Sequence, residues 1–120
     1  MPASTDAPVD TLVARYVYDC EFIEDGVTID LVSIAVIAED GREFYAVSTE
    51  FDPAGAGDWV RRNVLDKLPP PSSTVWRSRQ QIRDGLADFL LAPGLPVELW
   101  AWFAAYDHVA LAQLWGAMPA

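Results

Sequence analysis

In 120 residues there is one cysteine, one histidine, and only eight lysines and arginines against 18 aspartates and glutamates. Each scarcity excludes something. A lone Cys20 cannot close an internal disulfide, which fits a reducing cytoplasm. A net charge of −10 argues against a protein that coats nucleic acid through its overall field. No apolar run reaches the roughly 18–20 residues that span a bilayer. Met1–Ala14 has neither a basic start nor a continuous apolar segment. It is therefore expected to be a flexible leader, not a signal peptide. No internal repeat is visible.

What is present is enough for a core. Hydrophobic residues make up 52%, including five Trp, five Phe and four Tyr, so residues 15–120 are read as one folded domain. The charge is uneven. Most acids precede Asp58, whereas Arg61, Arg62, Lys67, Arg77, Arg79 and Arg83 cluster after it. These six form either a solvated helix face or a basic rim beside an acidic centre.

Arg15–Phe22 alternates and is rich in Tyr and Val, which predicts a first strand. A turn at Glu24-Asp25-Gly26 leads to Thr28–Glu39, apolar on both faces through its middle, as in a doubly covered central strand. Asp40-Gly41 is a hairpin signal, and Arg42–Ser48 returns as a third strand. The pattern then becomes helical. Asp58 is read as the N-cap of Trp59–Leu68, which stops at Pro69-Pro70-Pro71. Ser78 is read as the cap of Arg79–Leu91, with Ile82, Leu86, Phe89 and Leu90 on one stripe. After Pro93-Gly94, Val97–Phe103 reads as a fourth strand and Tyr106–Trp115 as a helix ended by Gly116. The order β-β-β-α-α-β-α predicts an α/β fold with a mixed sheet.

Two acids stand inside the first strand, in Tyr18-Asp19-Cys20-Glu21-Phe22. Residues i and i+2 of a strand share a face, about 6.5–7 Å apart. Two like charges beside a core are costly without a positive partner, and a hard divalent cation supplies one through oxygen ligands. The plainer alternative is a strand end facing water. A third acid, Asp107, shares a helical stripe with Leu111 and Leu114 that should face the sheet. Alone it reads as an N-cap or first-turn acid favoured by the helix dipole; with Asp19 and Glu21 it reads as a third metal ligand. His108 points about 100° away from Asp107 and is either a structural histidine or an acid–base group. Leu99–Phe103 is either core or a base-stacking surface.

These residues resemble a known family. An Asp-x-Glu on the first strand of a three-stranded meander, then a Tyr-Asp opening a helix after strand four, resembles the first two motifs of the DEDD-type 3′–5′ exonucleases. The ribonuclease T-like branch is the nearer match, above all the actinobacterial polyadenylate-specific 3′-exoribonucleases. The runs Tyr18–Gly26, Tyr45–Pro53, Leu68–Pro71, Trp76–Ile82 and Leu99–Gly116 carry the resemblance, which covers about residues 15–118.

The resemblance implies a ribonuclease H-like sheet and a metal-dependent 3′–5′ exoribonuclease. Asp19 would bridge two Mg²⁺ ions, with Mn²⁺ able to substitute, while Glu21 and Asp107 would each hold one. Phe22 and Ile23 would contact the 3′-terminal nucleotide of a single-stranded, adenine-rich RNA. A cytoplasmic homodimer is implied. Two departures stand out. Phe103 occupies the place where the wider superfamily often has Asn, four residues before the second-motif Asp. The third motif, with a fourth carboxylate and a histidine general base, is expected beyond Ala120, so the domain reads as C-terminally incomplete. The alternative is a catalytically inactive ribonuclease H-like module that binds RNA or protein, and a deoxyribonuclease of the same fold is a third option.

Overall fold

Alternation along the first strand is realised in a computed structural model that describes residues 12–24, 28–101 and 104–115. In β1 (Ala14–Glu24), Tyr16, Tyr18 and Cys20 are buried, whereas Val17 and Asp19 are exposed. β2 (Ile29–Ala38) is buried on both faces from Leu31 to Ile34, as its apolar middle, interrupted by Ser33, predicts. It pairs antiparallel with β1 and with β3 (Glu43–Ser48). The β2–β3 turn requires Gly41, whose φ of +95° is hostile to a side chain.

The chain then crosses beneath the sheet. α1 (Asp58–Asn63) is followed by a 3₁₀ turn, Leu65–Lys67. A two-residue strand, β4 (Trp76–Arg77), pairs parallel with the end of β3. α2 (Arg79–Leu91) leads to β5 (Val97–Ala101), which pairs parallel with β1, and α3 (Ala104–Gln113) follows. The strand order is β4-β3-β2-β1-β5. The result is a mixed α/β sheet compatible with a ribonuclease H-like fold.

Helices α2 and α3 cover one face. Ile82, Leu86 and Leu90 of α2, and Ala110, Leu111 and Leu114 near and after the end of α3, pack on Tyr16, Tyr18, Cys20, Ile34 and Val36. On the opposite face a smaller cluster joins Ile23, Val32 and Val64, flanked by Val60, Leu65 and Leu68. Val32 sits where the β1–β2 register shifts: Glu21 pairs with Ser33, but Phe22 pairs with Leu31. One extra residue on β2 thus marks the change between the two packing regimes.

Several sequence expectations are corrected. Among the described residues the sheet has five strands, and the two residues Trp76–Arg77 of β4 are too few to show a period-2 pattern. The expected fourth strand is β5. Asp58 does not cap α1; Gly57 holds the cap position without a side-chain hydrogen bond, and Asp58 is the first helical residue. The helix read as Trp59–Leu68 splits at Val64 into α1 and the 3₁₀ turn. Ala14, read as the last leader residue, already belongs to β1 and donates to the Pro96 carbonyl at 2.8 Å. Ser78 does cap α2, in a reciprocal capping box with Gln81. The rest of the leader up to residue 11, the turn residues Asp25 and Gly26, and Phe103 and Gly116 lie outside the described residues. Among the described residues no helix is long and apolar enough to cross a membrane.

Candidate active site

Directly paired residues on neighbouring strands share a face, so register places the acids. Asp19 pairs with Ala35, which pairs with Tyr45; Glu21 pairs with Ser33. Asp19, Glu21, Ser33, Ala35 and Tyr45 therefore all look away from α2 and α3. β2 presents small residues, Ser33 and Ala35, on this face and large ones, Ile34 and Val36, on the other. The small residues leave space beside the acids.

Asp107 arrives from α3. It lies in the first turn and is only 2% exposed, with Leu111 and Leu114 buried along the same stripe. Its Oδ1 accepts the Cys20 backbone N–H at 3.1 Å, and the Cys20 thiol donates to the Asp107 carbonyl at 3.9 Å. These contacts tie the start of α3 to β1 between the two strand acids. Asp107 Oδ2 is buried without a hydrogen-bond partner. An orphaned carboxylate oxygen of this kind calls for an explanation.

The three acids line one open hollow of about 470 Å³, together with Phe22, Trp59 and Tyr106. Partial burial raises the Asp19 carboxyl above its ordinary value, and the Asp107 charge raises it further. Glu21 is likewise raised by burial first, then by Asp19 and Asp107. Burial and the Asp107 charge also push Cys20 far up, so its thiol is no nucleophile at neutral pH. Tyr18 is pushed up to about 12, chiefly by burial. Among the described residues no three carboxylate, histidine or thiol groups already stand close enough to grip a single ion. The donor set nevertheless suits a hard divalent cation: three anionic oxygen donors on one hollow, two disfavoured in their charged form, and one with an unpartnered oxygen.

Other expected participants are placed differently from one another. Phe22 lines the hollow and packs edge-on to Tyr106, with ring centroids 5.9 Å apart. Ile23 is buried in the smaller apolar cluster. His108 is half-buried and lines neither this hollow nor its neighbour. Of the six clustered cations, Lys67 alone reaches the acids' surroundings, lining an adjoining hollow with Asp19 and Glu21. Arg79 pairs with Asp30, Arg83 with Asp84, and Arg61 donates to the Pro53 carbonyl. The basic residues are thus mostly the solvated face that charge runs usually form. Trp100, in the aromatic run of β5, is exposed but away from the acids.

Sequence reasoning missed Trp59 and Tyr106. Both are exposed and flank the acids from different helices. The available signal was an aromatic at the start of each helix in a position that no apolar stripe required.

No family model matches the chain. It is 69% identical over 107 residues to proteins named 3′–5′ exoribonuclease from two strains of Mycobacterium tuberculosis, CDC 1551 and H37Rv. The aligned part is 88% of this chain and 64% of each relative. The chain therefore spans a little under two-thirds of the length of the curated relatives it matches.

Proposed function

We propose that this chain carries the carboxylate site of a divalent-metal-dependent 3′–5′ exoribonuclease. The observation that carries the reading is the convergence of Asp19, Glu21 and Asp107 on one aromatic-walled hollow. The 69% identity to named exoribonucleases supports it.

Asp19, Glu21 and Asp107 are the groups that would hold Mg²⁺ or Mn²⁺. When bound, the ions neutralise charge on the phosphodiester and make water a better nucleophile. The chain's own residues do the rest. Asp107 is held in place by the Cys20 N–H, so the spacing between α3 and β1 is set before substrate arrives. Phe22, Trp59 and Tyr106 offer faces and edges on which the terminal base can stack without sequence-specific hydrogen bonds. Hydrolysis adds water across the last phosphodiester: the new P–O bond forms from water, the P–O3′ bond breaks, and the departing 3′-oxygen takes a proton. The products are a nucleoside 5′-monophosphate and an RNA one nucleotide shorter.

In this reading the substrate is a single-stranded RNA 3′ end, adenine-rich by resemblance, and the working unit is a cytoplasmic homodimer. Ile23 supports the terminal nucleotide from beneath, through the apolar cluster under the hollow. His108, away from the hollow, is assigned no proton transfer.

The test is trimming of a 5′-labelled oligoadenylate in Mn²⁺ by the chain and by its Asp19→Ala variant. A one-nucleotide ladder that vanishes with Asp19→Ala supports the reading. Folded protein that binds the oligonucleotide but leaves no ladder in either form would point to the inactive RNA-binding module instead.

A further inference from the structure

The Asp19–Glu21 pair is a ridge between two hollows. One holds the aromatics and Asp107; the other, about 250 Å³, lies over Ala35 and is bounded by Ser33, Tyr45, Asn63 and Lys67. The second hollow exists because β2 puts alanine between Asp19 and Tyr45 in one cross-strand row. Its wall is polar. Ser33 and Tyr45 bring hydroxyl side chains to it, and Asn63 is braced by a 2.9 Å bond from its amide to the Trp59 carbonyl.

Among the described residues Lys67 is the only basic side chain lining either hollow. Among the described residues its side chain is in no ion pair or hydrogen bond, although acids are abundant. The position of its backbone is not accidental. It ends the 3₁₀ turn Leu65–Lys67, whose neighbours Val64, Leu65 and Leu68 are anchored in the apolar cluster with Ile23 of β1. The turn is thus pinned to the strand that carries the acids. A polyanion approaching three carboxylates on a chain of net charge −10 needs local positive charge beyond what a metal supplies.

We infer that Lys67, over the hollow formed by Ala35, Tyr45 and Asn63, is a binding residue for the RNA phosphodiester next upstream of the scissile one. This rests on the exoribonuclease reading and extends it to the second link of the substrate. A terminal nucleoside in the aromatic hollow leaves the scissile phosphate at the ridge. The strand then continues over the second hollow, where a lysine acts as a point charge on a phosphate.

The test measures binding of 5′-fluorescein-labelled tetra-adenylate by anisotropy, with Ca²⁺ in place of Mg²⁺, across a salt series. Lys67→Met is expected to make the slope of log affinity against log salt shallower by about 0.7, the share of one single-strand phosphate contact. Replacing the second link from the 3′ end by a neutral methylphosphonate should weaken wild-type binding and leave Lys67→Met unaffected. Lys67→Arg should keep both wild-type responses. Since Lys67 is exposed, unfolding is not a confounder, and an unchanged melting temperature checks this. If Lys67→Met keeps the wild-type slope and methylphosphonate sensitivity while Asp19→Ala abolishes trimming, this inference fails alone. If the wild-type chain neither binds nor trims, the exoribonuclease reading fails and takes this inference with it.

Discussion

Asp19 and Glu21 are more useful ionised than they are comfortable ionised. Both have carboxyls raised above their ordinary values, so the native state holds protons that the unfolded chain has already released. Native stability from these groups is therefore fullest below the unfolded carboxylate range near pH 4 and falls as pH rises through the raised native values. Asp19→Asn is expected to raise the urea midpoint of the metal-free chain at pH 7 while abolishing trimming. The difference from wild type should shrink as pH falls toward 4; a variant less stable than wild type at pH 7 would contradict the account. Asp107 contributes through a hydrogen bond, since its Oδ1 satisfies a buried backbone donor. Asp107→Ala should cost about 1–3 kcal/mol through the orphaned Cys20 N–H. Asp107→Asn, which keeps an acceptor oxygen, should cost clearly less in denaturant titrations yet be equally inactive. The pairing of Asp19 with Glu21 was legible from spacing alone. That Asp107 hydrogen-bonds between them was not, because that contact joins residues 87 positions apart.

At the scale of elements, the best-read segment was α2. Its cap Ser78, its box partner Gln81 and its stripe of Ile82, Leu86 and Leu90 are all local signals, and all are realised. The start of α2 also matters beyond its own helix: the Arg79 side chain pairs with Asp30 of β2, and its N–H bonds Glu50. Ser78→Ala is expected to destabilise the chain by about 1 kcal/mol, read from chemical denaturation, with the trimming rate per folded molecule unchanged. The less legible elements were those shaped by tertiary contact. α1 breaks at Val64 because that residue turns into the apolar cluster with Ile23 and Val32, and β4 exists only through its pairing with β3. Neither leaves a periodic trace of its own.

Across the whole molecule, the two faces of the sheet are treated unequally. Helices seal the Tyr16–Tyr18–Cys20 face, whereas the other carries an exposed apolar row: Ile37, Val17 and Trp100 pair across β2, β1 and β5. These three are 54%, 59% and 60% exposed, and an apolar row on a broad sheet face favours self-association. The double variant Val17→Thr, Ile37→Thr should lower binding of a hydrophobic dye and light scattering at high protein concentration, with the far-UV spectrum unchanged. Equal scattering from both proteins would show that this row does not drive association.

The sequence by itself determined the α/β class, the strand-strand-strand meander, the capped α2 and the same-face placement of Asp19 and Glu21. All of these follow from periods of 2 and 3.6 residues and from turn and cap chemistry within a few positions. Only the tertiary structure decided that Asp107 meets β1 at Cys20, that Trp59 and Tyr106 flank the same hollow, and that Lys67 lines the adjoining one. Those placements depend on strand order and on β5 joining the sheet beside β1. Such contacts are set by which apolar faces can be buried together, and no local pattern encodes that choice.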